Sequence, residues 1–199
     1  MENINRIRTK SIWIFIITFS SLNLCLFISV NYHLLENTIF AVDQIGRSGF
    51  TIPYIDGSVS ISRTARTFPA YLIFKPGMLI TSILLIQYWN TYNKLIQTIN
   101  NDFSKNKYFL FFGIGSAILL ILHSLLLGIH FEVDLYKFFR RLLILGFIIF
   151  ELTAQALLIR NIFKIKIKII EMVNRKILIA KIFVVSVLII IGVLSLPIL

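Results

Sequence analysis

The chain has 199 residues, of which 57% are hydrophobic and 15% charged, so it is too apolar to fold as a soluble domain of that size. Its net charge of +11 lies mostly between apolar runs, where basic residues orient membrane spans and meet anionic lipid, so we expect no nucleic acid partner. The single cysteine, Cys25, excludes an intramolecular disulfide and paired-cysteine redox chemistry.

Five apolar runs predict an all-α integral membrane protein, a bundle of five transmembrane helices in a single domain over residues 1–199. The spans are expected at about 11–30, 70–89, 108–130, 142–159 and 177–199. Helices are expected because backbone polar groups in lipid need partners within their own segment, and the alternation of a membrane barrel is absent. The first run follows basic residues, as in a signal peptide, but it is longer and no cleavage site follows, so we interpret it as an uncleaved span.

The long polar segment 31–69 joins the first two spans. Loops of more than about 15 residues usually carry a function or are disordered. Regularly spaced Val, Ile, Phe and Tyr favour an ordered loop here. In its GSVSIS stretch, residues 57–62, serines alternate with Val59 and Ile61, which predicts a short extended segment with one packed face.

Two spans contain residues that predict irregular or close packing. Lys75 lies about 7 Å inside the second span, near enough to the surface to snorkel outward or to pair within the bundle. Pro76 and Gly77 follow it and predict a kink or a broken first turn. The small residues that predict a close-packing patch in the third span are Gly113, Gly115 and Ser116.

The distribution of lysine and arginine predicts the orientation. Thirteen lie in the N-terminus, in residues 90–107 and in residues 160–181, and seven lie on the other side of the spans. The positive-inside rule therefore places the N-terminus in the cytoplasm and both the 31–69 loop and the C-terminus outside it. Trp13, Trp89 and Tyr108 fall at the expected cytoplasmic interface, where an aromatic belt forms.

Three ionisable residues, Lys75, His123 and Glu151, lie inside the expected spans, where such residues usually face the bundle interior and mark function. His123 is roughly 10 Å and Glu151 roughly 15 Å from the outer ends of their spans, so we expect them about one turn apart. With Lys75 they predict a polar pocket that opens outward under the loop, and Gln155 and Thr153, one turn or less from Glu151, are expected to complete a small network there. The alternative is a hydrogen-bonded pair that only fixes helix register, with Lys75 snorkelling.

The loop adds Arg63 and Arg66 beside Ser60 and Ser62. Guanidinium groups bind phosphates and carboxylates through paired hydrogen bonds, so these residues predict a site for an anionic headgroup, with a solvated loop face as the alternative. The sequence contains neither a Gly-x-Ser-x-Gly elbow nor a glycine-rich phosphate loop. We expect no cofactor and no metal, assign no catalytic residue and leave open whether the chain is an enzyme.

The run SVSISRTARTFPAYLIFKPGM resembles the signature region of the DRAM/Frag/Sfk (CWH-type) family of integral membrane proteins. The matching positions are Ser60, Ser62, Arg66, Pro69, Phe74 and Gly77. Relatives commonly have six spans and a double proline, where this chain has five expected spans and Phe68–Pro69. The resemblance implies a multi-span protein that acts on or with membrane lipids, and no catalytic residue carries over.

We therefore expect a multi-pass membrane protein with a lipid-associated or regulatory role. The candidate lipid-binding or substrate-binding residues are Ser60, Ser62, Arg63, Arg66, Lys75, His123 and Glu151. The alternatives are a membrane enzyme acting on a lipid headgroup and an accessory subunit of a transporter complex. Membrane lipids are the expected partners, with a membrane-protein partner or a second copy of the chain left open.

Overall fold

A computed structural model of the chain describes residues 2–35, 37–40, 53–56, 61–99, 107–127, 134–164 and 175–195, and within these ranges its regular structure is entirely helical. The long helices are α1 (Glu2–Val30), α2 (Tyr71–Ile99), α3 (Tyr108–Leu126), α4 (Asp134–Lys164) and α5 (Arg175–Ser195). Between α1 and α2 lie a 3₁₀ turn, Tyr32–Leu35, and two single-turn helices, Pro53–Asp56 and Ile61–Thr64. The all-α prediction is confirmed.

Four helices are long and apolar enough to cross a membrane: α1, α2, α3 and the Leu135–Phe163 part of α4. Large apolar side chains such as Phe15, Phe27 and Phe111 are more than half exposed on these helices, and lipid is the solvent that such surfaces suit. Helix α5 forms where the fifth span was expected, and its crossing of the membrane stays a prediction.

The helices differ from the expected spans mainly at their polar ends. Helix α1 begins at Glu2 and α2 continues to Ile99, because lysine, arginine and glutamine extend a helix as readily as leucine does. The fourth span was expected to begin at about residue 142, but α4 is already helical from Asp134. Helix α3 was expected to reach His130, but it ends at Leu126, and Leu127 has extended backbone angles (φ −65°, ψ 130°).

The extended segment expected in GSVSIS is wrong for Ile61 and Ser62, which open the turn Ile61–Thr64, while residues 57–60 lie outside the described ranges. Two further turns continue the chain, since the N–H of Arg66 donates to the carbonyl of Arg63 at 3.1 Å and that of Thr67 to Thr64 at 3.1 Å. Alternation over six residues is too short a pattern to separate a strand from a turn.

The extensive helix contacts follow chain order: α1 packs on α2, α2 on α3, and α3 on α4, while α5 rests on α4. Neighbours are antiparallel. Lys10 donates to the hydroxyl of Thr91 at 2.9 Å, and at the other end of the same pair Cys25 lies 3.3 Å from the carbonyl of Ala70. We call the end of the bundle at which Ala70 lies the loop end and the opposite one the far end.

Small residues allow the closest helix approaches. A Cβ on Gly77 would overlap the hydroxyl of Ser21, and one on Gly113 would overlap the indole of Trp89. One on Gly115 would lie 2.7 Å from the ring of Phe150, so the patch predicted in the third span is confirmed. Helix α2 runs unbroken through Pro76, so the broken first turn was not found, and Gly77 instead admits α1.

Candidate functional site

A cavity of about 640 Å³ lies among the four long helices α1 to α4, and we call it the main cavity. Its wall is mostly apolar. The apolar side chains that form most of it are Ile14, Phe15, Leu22, Phe74, Met78, Leu85, Leu120, Leu127, Ile144 and Phe147. Along α2 it extends from Phe74 to Leu85, a distance of roughly 16 Å at 1.5 Å per residue. The space is therefore elongated along the bundle axis, and a hydrocarbon chain suits its lining.

Glu151 lines the inner part of the main cavity and joins three helices. Its Oε2 lies 2.7 Å from the hydroxyl of Ser116 on α3 and accepts a hydrogen bond from the indole N–H of Trp89 on α2 at 3.3 Å. Its Oε1 accepts from the side-chain amide of Gln155 at 2.8 Å, as expected. Thr153, expected in the same network, donates instead to the carbonyl of Ile149 within α4 at 2.7 Å.

Beyond this carboxylate lies a group of residues that the sequence did not reveal. Lys181 of α5 places its ammonium 5.4 Å from the ring centroid of Tyr92, and its charge interacts with Glu151. The rings of Tyr88 and Tyr92 meet edge to face with centroids 4.9 Å apart. Lys181 was counted with the basic segment 160–181, although it lies inside the apolar run that starts at Ile177. Its position inside an apolar run was the feature of the sequence that could have identified Lys181 as a buried residue.

Trp89 was expected at the membrane interface and lies elsewhere. Its side chain is 0% exposed and donates to Glu151, whereas Trp13 is 51% and Tyr108 66% exposed. An aromatic belt is made of rings that contact both lipid and water. Trp89 is therefore a core residue, while Trp13 and Tyr108 have the exposure that a belt requires.

His123 lines the main cavity near its loop end and is 8% exposed. Its ring faces the backbone of Arg140, and its Nδ1 has no hydrogen-bond partner among the described residues. The expected one-turn separation from Glu151 is wrong. Glu151 is level with Ser116, which precedes His123 by seven residues of α3, or roughly 10 Å. The error arose because α4 begins at Asp134 and not near Leu142, so the depth of Glu151 was underestimated.

The charge of Arg66 at the loop end interacts with those of two other arginines, Arg63 and Arg140, and we call the three the arginine cluster. Burial, followed by repulsion from Arg140 and Arg63, lowers the pKa of Arg66 from its ordinary value. Ala65, next to Arg66, is 1% exposed and lines the main cavity. The cluster therefore lies near the main cavity, although none of its three arginines is among the described residues that line it. The sequence identified Arg63 and Arg66. It did not identify Arg140, because Arg140 lies on a different part of the chain, helix α4, and comes near them only through packing.

The remaining predicted residues are not gathered at the main cavity. Lys75 places its ammonium 5.5 Å from the ring centroid of Tyr71, one turn toward the loop end, as a snorkelling side chain would. Lys75 is not one of the described residues that line the main cavity. Ser62 lies in the Ile61–Thr64 turn, and Ser60 lies outside the described ranges.

Four helices of membrane-spanning length and composition, three of them joined through a buried carboxylate, indicate an integral membrane protein. No protein-family model, curated protein or solved structure matches the chain. Within the described ranges, no three histidine, cysteine or acidic side chains are grouped in a way that would hold a metal ion.

Proposed function

We propose that the protein binds an anionic membrane lipid, with a hydrocarbon chain in the main cavity and the charged group on the arginine cluster. The main cavity carries this proposal. Ligand sites typically have volumes of about 300–1,000 Å³, a mostly apolar lining and a few polar groups that fix orientation. A space of about 640 Å³ among apolar helices, lined by Ala65 next to Arg66, has these properties.

The arginine cluster supports an anionic ligand in particular. Neighbouring guanidinium groups create a positive potential at this end of the bundle, and such a potential attracts an anionic group. Guanidinium groups match phosphate oxygens with paired hydrogen bonds, which a single ammonium cannot do. A lipid phosphate at this end would leave its chain pointing toward Ala65 and the main cavity.

The proposed placement in the membrane has five spans, with α5 as the fifth, the N-terminus in the cytoplasm and the loop end outside. The excess of lysine and arginine in the N-terminus and in residues 90–107 and 160–181 supports this orientation. Membership of the DRAM/Frag/Sfk family is likewise a proposal. It is supported by the position of its matching residues Arg66 and Phe74, one in the arginine cluster and the other in the cavity wall.

Lipid analysis by mass spectrometry of the purified protein tests the charge half of the proposal. The variant Arg66→Ala/Arg140→Ala should retain less anionic lipid than wild type by about tenfold or more, because even one charged hydrogen-bonding group typically contributes 1.5–3 kcal/mol. The control is Arg141→Ala, which removes an exposed arginine from the same helix. Equal lipid content in the double variant and the control would contradict the proposal.

Filling the cavity tests the apolar half. Ile144→Trp adds a bulky ring to the cavity wall, whereas Ile148→Trp adds the same ring one turn further along α4 at a position 42% exposed. Only the first variant should lose lipid. If both behave like wild type, the ligand does not occupy the main cavity.

A membrane enzyme acting on a lipid headgroup is the second candidate, and His123 is the observation that favours it. An imidazole nitrogen without a partner can take a proton from a reacting group in a cavity. Incubation of the protein with its co-purifying lipid separates the two candidates. A binding protein returns the lipid unchanged, and an enzyme returns a product that His123→Asn no longer forms.

A further inference from the structure

We propose that His123 selects the bound lipid by accepting a hydrogen bond from a hydroxyl or amide N–H located between the lipid's anionic group and its chain. The inference rests on the proposed function, because it concerns the same cavity. It adds a specificity-determining residue and a class of ligand, namely lipids with a hydrogen-bond donor at that position.

The first observation is the buried nitrogen itself. His123 is 8% exposed, and its Nδ1 has no partner among the residues that the structure describes. Buried polar atoms almost always have a partner, so an exception at a cavity wall points to a group supplied from the cavity. Three more buried oxygens have no partner within the described ranges: Ser29 Oγ and Thr64 Oγ1 at the same end of the bundle, and Gln155 Oε1 beside Glu151. Three of these four atoms therefore belong to the loop end.

The second observation defines what Nδ1 requires. The ring faces the backbone of Arg140, and Nε2, unlike Nδ1, is not among the buried atoms without a partner, so the proton of the neutral imidazole is satisfied on Nε2. In a neutral imidazole with one nitrogen protonated, the other nitrogen can only accept. Nδ1 is then the acceptor, and its partner must be a donor. Among the described residues, Arg140 is the charged group that acts on the ring, and no described carboxylate does so.

The third observation is the position of His123 along the axis. It lies three residues before the end of α3, roughly 5 Å inside the helix. On one side of it is the arginine cluster, which includes Arg140, and on the other is the apolar wall that begins with Leu120 and Phe147. A lipid with its phosphate on the arginines and its chain in the main cavity places the connecting atoms beside His123.

These connecting atoms differ between lipids. A glycerol carbon that carries a second ester offers only acceptor oxygens, which cannot bond to an acceptor nitrogen. A free hydroxyl or an amide N–H at the same position can donate. His123 should therefore favour donor-bearing lipids and reject fully esterified ones, since a site built to bond a donor discriminates strongly against an analogue that lacks it.

The experiment compares two probes that differ only in the donor: a monoacyl glycerol 3-phosphate and its analogue with the free hydroxyl converted to a methyl ether. Binding of both to the full-length protein in nanodiscs is measured by competition. Wild type should bind the hydroxyl-bearing lipid about tenfold more tightly. His123→Leu should remove the difference, and His123→Asn should restore it, because its side-chain oxygen accepts close to the position of Nδ1.

The outcomes separate this inference from the proposed function. If wild type binds neither probe, the proposed function fails. If it binds both equally, lipid binding stands and the role proposed for His123 is wrong. This result is measured on wild type alone, so it does not depend on whether a variant folds. The control is Leu122→Ala, a substitution on the exposed side of α3 that should behave as wild type. If His123→Leu keeps the preference and the control does too, another residue makes the selection, and the inference is likewise overturned.

Discussion

The hydroxyl of Ser116 lies 2.7 Å from Oε2 of Glu151, and this contact ties α3 to α4 inside the bundle. Trp89 of α2 donates to the same oxygen at 3.3 Å, so one carboxylate fixes the register of three helices. Lipid offers no replacement for these hydrogen bonds, and polar contacts between membrane helices are accordingly used to set register.

Replacing Glu151 by glutamine should destabilise the bundle without preventing membrane insertion. Both carboxylate oxygens accept hydrogen bonds, whereas a glutamine turns an NH₂ group toward at least one donor among Trp89, Ser116 and Gln155. We expect a loss of about 1–2 kcal/mol, seen as a lower Tm in detergent. Thr153→Val is the control, since Thr153 bonds to its own helix. Equal Tm values in the two variants would rule out a register role for Glu151.

The contact of Lys181 with Tyr92 should hold α5 on the bundle. In a double-mutant cycle of Lys181→Met and Tyr92→Leu, we expect a coupling of about 0.5–2 kcal/mol, the range for a cation over an aromatic ring. Hydrogen exchange of the α5 amides measures the release of the helix. Strictly additive effects of the two substitutions would mean that α5 is held by other contacts.

Alanine at Gly77 should push α1 away from α2, because its methyl group overlaps the Ser21 side chain. Overpacking of this kind typically costs about 1–3 kcal/mol. Unfolding monitored by tryptophan fluorescence should show this loss, and Ser21→Gly should recover part of it. Gly146→Ala is the matched control, since its methyl would lie 3.2 Å from the flexible end of Leu119. A tolerated Gly77→Ala would show that the helices can separate at no cost.

The proposed orientation can be tested with single cysteines at two exposed threonines. Thr38→Cys at the loop end should react with a membrane-impermeant maleimide on intact cells, whereas Thr98→Cys near the far end should react only after permeabilisation. The natural thiol does not interfere because Cys25 is 2% exposed. The reverse labelling pattern would invert the topology.

Composition alone predicted the helices, since the apolar runs and the helix cores coincide from Ser11 to Val30 and from Tyr108 to Leu126. It could not predict where helices begin and end, because a helix continues past the apolar region as long as its residues tolerate helical geometry. For this reason the start of α4 at Asp134 was not predicted, and the depth of Glu151 inferred from a later start was too small.

The partners of the candidate site depended on which helix faces which, and periodicity carries no such information. Glu151 and Gln155 share a helix and one turn, so their contact was predicted. Ser116 and Trp89 reach the same carboxylate from two other helices, and the charge of Lys181 acts on it from a third. Arg140 joins Arg66 for the same reason, through the docking of α4 beside the loop.

The packing of each helix on the one before it has a consequence for synthesis of the chain. Contacts between sequence neighbours form early and without long searches, so α1 and α2 can pair before α3 and α4 are translated. Until α4 arrives, Trp89 and Ser116 lack their carboxylate and the main cavity lacks a wall. A ribosome that stalls after α3 would therefore leave a precursor in which the main cavity is incomplete and the indole N–H of Trp89 lacks its acceptor on Glu151.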